Sequence, residues 1–128
     1  MGTDLRDRHI LVAEDEYMVA WHMSEMLRAE GATVVGPVAT VEAALRAVAD
    51  SARLDGAVLD VNLGGVMAYA VADALRARDI PYVLATGYDA SVIPEPYRSA
   101  CCVQKPVDMA AVTRALGVHV DAATPSVG

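Results

Sequence analysis

Basic residues are in short supply: 10 lysines and arginines stand against 17 aspartates and glutamates, leaving a net charge of −7. Nucleic-acid binding draws most of its affinity from cations that neutralise phosphates, so this balance argues against a nucleic acid as partner. Cysteine is scarce too, and the two that occur, Cys101 and Cys102, are neighbours. A disulfide between adjacent residues is strained and rare, so they read as two small apolar strand residues in a reducing compartment. Long apolar runs are missing: Asp, Glu, Arg or Gly interrupts every one, well short of the roughly 18 residues needed to cross a bilayer. Met1 to Arg8 is polar and charged, unlike a signal peptide. The expected location is the cytoplasm, with no membrane partner. His9, His22 and His119 lack metal-ligand spacing, and no Gly-x-Gly-x-x-Gly follows the first apolar run, which argues against a dinucleotide.

What is present is an apolar majority, 55% of 128 residues, enough for one domain with a sizeable core. Short runs rich in Val, Ile and Leu alternate with longer stretches of helical spacing. The pattern predicts strands at His9–Ala13, Thr33–Val38, Gly56–Val61, Tyr82–Thr86 and Cys101–Gln104. A helix is expected from Glu14 to Glu30, with Val19, Met23, Met26 and Leu27 on its buried face and Gly31 closing it. Trp21 and His22 lie off that face. Thr40 can cap a second helix running through Ala49, with Glu42 in its first turn. A turn at Asn62 to Gly65 precedes a helix from Ala68 to Arg78. Between Gly87 and Ala100, Pro94 and Pro96 permit at most a short or broken helix. Asp108 then caps a last helix with Met109, Val112 and Leu116 on one face, and the tail after Val120 is expected to be disordered. Strands alternating with helices imply an α/β fold, a doubly wound parallel sheet over residues 8–120, with 121–128 as tail.

Functional groups of such sheets gather beyond the carboxyl ends of the strands. Four of the predicted strand ends carry Glu14-Asp15, Asp60, Thr86 and Lys105. Taken singly each has a plain structural use, as a helix cap, a turn former or a strand residue. Together they form a set: three carboxylates that repel one another unless a hard cation lies among them, a hydroxyl and an amine that can meet phosphoryl oxygens. Mg²⁺ is the natural cation, and acyl-phosphate formation is the chemistry that the set fits.

With these residues in view, the sequence resembles the receiver domain of two-component response regulators, over Arg8 to Leu116. The matching pieces are Leu11-Val-Ala-Glu-Asp-Glu16, Val58-Leu-Asp-Val-Asn62, Ala85-Thr86 and Gln104-Lys-Pro106. The resemblance implies the flavodoxin-like strand order 2-1-3-4-5. It implies Asp60 as phosphoacceptor and a Mg²⁺ site made of Glu14, Asp15, Asp60 and Asn62, in which Asp15 binds the ion directly, Glu14 through water and Asn62 through its backbone carbonyl. Lys105 would contact the phosphoryl group, and the Lys105–Pro106 bond would be cis. Leu84-Ala-Thr-Gly-Tyr-Asp89 is similar to the motif of the single-domain FAT GUY-type receivers. The partner implied is a histidine kinase or histidine phosphotransfer protein, and the domain would catalyse its own phosphorylation and dephosphorylation while serving chiefly as a signalling switch.

Two departures from the general receiver pattern matter. Cys102 stands where receivers usually place Tyr or Phe, so the customary aromatic switch is missing, and Leu63-Gly64-Gly65 replaces a Met-Pro turn. Thr86, on reaching the phosphoryl group, is expected to pull Gly87, Tyr88 and Asp89 with it and to order the proline-rich segment beyond. Tyr88 would shield the aspartyl phosphate from water and lengthen its life. Trp21 is a candidate anchor for the phosphoryl donor. Two rival readings are a receiver-like binding module that is never phosphorylated and a haloacid-dehalogenase-like phosphatase. The latter places an Asp two residues beyond its nucleophile as general acid, where this chain has Asn62, which has no proton to supply.

Overall fold

The computed structural model describes residues 5–87, 93–98 and 101–104, together with Val112, Arg114 and Leu116. In chain order the elements are β1 (His9–Ala13), α1 (Tyr17–Ala29), β2 (Thr33–Val38), α2 (Val41–Asp50) and β3 (Gly56–Asp60). After a hairpin of β4 (Asn62–Leu63) and β5 (Val66–Met67) come α3 (Tyr69–Ala77), β6 (Tyr82–Thr86), α4 (Glu95–Arg98) and β7 (Cys101–Gln104). Five strands form one parallel sheet in the order β2-β1-β3-β6-β7. This is the expected doubly wound order 2-1-3-4-5, because the hairpin strands pair only with each other and β6 and β7 are the anticipated fourth and fifth strands.

Strand side chains alternate between the two faces, and the core divides accordingly. Leu11, Ala13, Leu59 and Leu84 pack on one face with Ala44 and Val48 of α2 and Val71, Ala72 and Leu75 of α3. Ile10, Val12, Val58, Val83 and Ala85 pack on the other with Met23 and Leu27 of α1 and with Val112 and Leu116. Both faces are covered, which is why β3 and β6 read as unbroken apolar runs rather than alternating ones. Met109 and residues 121–128 lie outside the described residues, whereas Val112 and Leu116 are helical and fully buried, as their spacing predicts. Among the described residues no helix is long and apolar enough to cross a membrane.

The first helix departs from expectation at its start and in its rotation. It begins at Tyr17 rather than Glu14, because Glu14-Asp15-Glu16 form a turn in which the Glu14 carboxylate accepts the Glu16 N–H at 3.1 Å. Its buried face is Ala20, Met23, Ser24 and Leu27, while Val19 is half-buried and Met26 is 40% exposed. Small residues let the helix approach the sheet, and a reading by hydrophobicity passes over Ser24, whose hydroxyl is satisfied by donating to the Ala20 carbonyl at 2.8 Å. Gly31 ends the unit with φ of 92° at a point where a Cβ would meet the Arg6 backbone at 3.0 Å.

Elsewhere local chemistry explains the boundaries. The Thr40 hydroxyl accepts the Ala43 N–H at 3.1 Å and Glu42 sits in the first turn, so α2 starts where predicted. Arg78 donates to the carbonyls of Val48 and Ser51 and so ties the end of α3 to the end of α2. The expected turn at Asn62 to Gly65 is narrower than anticipated, only Gly64 and Gly65, with φ of 60° and 91°. Two consecutive positive φ values are the signature of the tight hairpin turn that glycine permits. A cis peptide, unanticipated in the sequence, joins Gly36 to Pro37 in β2. The short α4 follows Pro94 and carries Pro96 in its first turn, where a missing N–H costs nothing. Four residues cannot sustain a helix alone; Tyr97 stacks on Tyr69 of α3 with centroids 4.5 Å apart and planes at 13°. The Arg76 guanidinium lies 6.0 Å over the Tyr97 ring, and a hydrogen bond to the Asp73 carboxylate holds the Tyr97 phenol above its ordinary pKa.

The rotation of α1 has a direct test by chemical denaturation. Met23→Ala should lower the unfolding free energy by about 2–5 kcal/mol by opening a cavity, and Met26→Ser should change it by no more than about 0.5 kcal/mol. Equal losses would contradict the observed buried face.

Candidate functional site

The site is built from the carboxyl ends of three neighbouring strands. β1 runs out at Ala13, so Glu14 and Asp15 are the first residues beyond it; β3 ends on Asp60 and β6 on Thr86. Pairing of β1 with β3 and of β3 with β6, with Asp60 opposite Ala85, brings these ends side by side. They enclose a crevice of about 290 Å³ lined by Asp15, Glu16, Asp60, Val61, Asn62, Thr86 and Gly87. Glu14, Asp60 and Thr86 are 2%, 4% and 1% exposed, whereas Asp15 is open to solvent.

One carboxylate oxygen from each of Glu14, Asp15 and Asp60 lies within 4.8 Å of the other two. Two of the three side chains are buried, where like charges are least screened. An all-oxygen donor set of three carboxylates is the kind that a hard divalent cation satisfies, and these residues fit one. Softer ligands do not contribute: among the described residues the cluster contains neither His nor Cys.

Backbone amides orient each acid. Asp60 Oδ1 accepts the Asn62 N–H at 3.1 Å, and Glu14 accepts that of Glu16. Asp15 Oδ2 accepts the Gly64 N–H at 3.1 Å, a bond that crosses from the start of α1 to the tip of the β4–β5 hairpin. The hairpin is in turn closed by the Gly65 N–H donating to Asn62 Oδ1 at 2.7 Å. Glu14 itself is placed by its own N–H, which donates to the Val38 carbonyl at the end of β2 at 2.9 Å. The structure therefore brings Glu14, Asp15, Asp60, Asn62, Thr86 and Gly87 together.

Lys105, Pro106, Tyr88 and Asp89 lie outside the described residues, and so does the expected cis bond at Pro106. Trp21 is not in the crevice but half-exposed on α1. Cys102 is half-buried in β7 against the core. The part that sequence reasoning missed is the hairpin, whose Gly64 reaches Asp15. Its signal was the Gly64-Gly65 pair, read as a turn without strands on either side.

No protein-family model matches the chain, and no curated protein matches it. Solved structures do. SdrG from Sphingomonas melonis Fr1 is 41% identical, with a TM-score of 0.76 over 89% of this chain and 96% of that one. A response regulator receiver protein from Sinorhizobium medicae WSM419 superposes with a TM-score of 0.80 at 23% identity, covering 94% of this chain and 99% of its own. A response regulator from Burkholderia pseudomallei, solved with a phosphorylated aspartic acid, a calcium ion and citrate, gives 0.74 at 21% identity, covering 91% and 72%. With a relative 41% identical over nearly its whole length and receiver structures superposing on the same strand order, the protein belongs to the response-regulator receiver domains of two-component signalling.

Proposed function

We propose that the chain works as a stand-alone receiver in the cytoplasm, taking a phosphoryl group from a phosphohistidine of a histidine kinase or phosphotransfer protein onto Asp60. The observation that carries this reading is the meeting of three carboxylate oxygens within 4.8 Å at the mouth of a crevice that also holds Thr86. The phosphorylated aspartic acid of the Burkholderia relative supports the same chemistry.

A carboxylate oxygen of Asp60 attacks phosphorus in line; the new O–P bond forms as the P–N bond breaks, and the imidazole leaves with the electron pair. The Asn62 amide, by bonding Oδ1, fixes the rotation of the nucleophile. The Thr86 hydroxyl donates to a phosphoryl oxygen, and Lys105 supplies a positive charge to another. Mg²⁺ held by Glu14, Asp15, Asp60 and the Asn62 carbonyl would neutralise charge on the transferring group. Glu14 and Asp15 hold their positions through the Glu16 and Gly64 amides, so little reorganisation is needed when the donor arrives. Gly87, Tyr88 and Pro106 are proposed modulators that set how the phosphorylated site is covered and how long it lasts. A receiver-like module that binds a partner without phosphorylation is the second reading, favoured by Cys102 in place of a switch aromatic.

Intact mass after incubation with acetyl phosphate and Mg²⁺ distinguishes the two. The wild type should gain about 80 Da, one phosphoryl group, while Asp60→Asn and a metal-free control gain nothing. An unmodified wild type under acetyl phosphate and under every kinase tried would leave the binding module as the account. For Trp21→Ala we expect transfer from a phosphorylated kinase to slow by about tenfold, with acetyl phosphate labelling unchanged; equal transfer would remove Trp21 from the docking surface.

A further inference from the structure

The β4–β5 hairpin carries an apolar surface that the fold does not use. Val66 and Met67 are 56% and 43% exposed. Adjacent residues of a strand face opposite ways, so β5 stands clear of the body on both sides. The hairpin is held from below instead: Leu63 is buried in the core, and the Ala68 N–H donates to the Val61 carbonyl at 2.8 Å. At the tip, a Cβ built on Gly64 or Gly65 would meet nothing within 4 Å. Solvent-exposed Val and Met in a two-residue strand contribute nothing to the core and expose apolar area to water, which calls for a use elsewhere.

Their position suggests the use. Among the described residues the other large apolar side chains most open to solvent are Tyr17, Met18, Trp21 and Met26, all on α1. The Gly64–Asp15 bond ties the hairpin to the start of that helix, so the element that carries Val66 and Met67 is joined, at an acid of the cluster, to the element that carries Tyr17, Met18 and Trp21. Asp15 and Glu16, exposed between them, add negative charge to the rim.

We propose that the β4–β5 hairpin is a docking ridge for the phosphohistidine donor, reading an apolar face flanked by Lys or Arg, with Val66 and Met67 as specificity residues. This rests on the reading of Asp60 as phosphoacceptor. An apolar centre with a charged rim is the anatomy of a specific interface, and the exposed acids of this rim match a basic partner surface. A second copy of this chain, carrying the same acids, would set like charges against each other and is the poorer occupant.

The test is phosphotransfer profiling with histidine kinases of the source organism, autophosphorylated with radiolabelled ATP. The fastest donor to the wild type is then used on the double variant Val66→Ser, Met67→Ser and on the conservative Val66→Ile, Met67→Leu. We expect the serine variant to accept at least about tenfold more slowly from the kinase, the conservative variant to retain transfer, and both to be labelled by acetyl phosphate at the wild-type rate. Unchanged kinase transfer in the serine variant overturns the ridge. Equal loss of acetyl phosphate labelling also overturns it, because the hairpin would then act on Asp15 and not on a partner. Light scattering that shows a dimer lost in the serine variant, with kinase transfer intact, would make the surface one of self-association instead. A wild type that neither acetyl phosphate nor any kinase labels refutes the phosphoacceptor reading itself, and the ridge with it.

Discussion

Two buried carboxylates, those of Glu14 and Asp60, stand with oxygens no more than 4.8 Å apart. Like charges brought that close in a poorly screened setting repel one another. Much of what surrounds the crevice can be understood as the means of holding them there. The amides of Glu16 and Asn62 each donate to one of the two acids, and the end of β2 anchors Glu14 through its N–H. A hard cation held between the acids would offset that repulsion, and the all-oxygen donor set fits one.

The sheet and the hairpin divide this task. Parallel strands with covered faces give a rigid platform on which three strand ends fall side by side, and their alternation keeps Val58 and Leu59 in opposite halves of the core while Asp60 emerges at the edge. The hairpin supplies what the platform cannot, a donor to Asp15 on the solvent side. Asn62 serves both, its N–H donating to Asp60 and its Oδ1 accepting from Gly65, so Asp60 and the hairpin share one residue.

Much of this was legible in the sequence. β1, β2, β6 and β7 fall on the predicted residues because continuous apolar runs between polar breaks leave little freedom of boundary. The placement of Glu14, Asp15, Asp60 and Thr86 at strand ends followed from the same runs. Other features depend on contacts that periodicity does not encode. The rotation of α1 was misread because Ala20 and Ser24, small and weakly hydrophobic, are buried by close approach to the sheet, while Met26 is left outside. The hairpin strands are two residues long, too short for any period to register, and they exist because Gly64, Gly65 and Asn62 close the turn and Leu63 roots it. The cis peptide at Pro37 has no counterpart in the local pattern.

The ring stack of Tyr97 on Tyr69 has a mechanical meaning. Thr86 and Gly87 line the crevice, while Ile93, 1% exposed, enters the core and Tyr97 lies against α3. A helix of four residues has no apolar face long enough to fasten it, so α4 is held to the body by flat ring on flat ring, a contact of surfaces rather than of interlocked side chains.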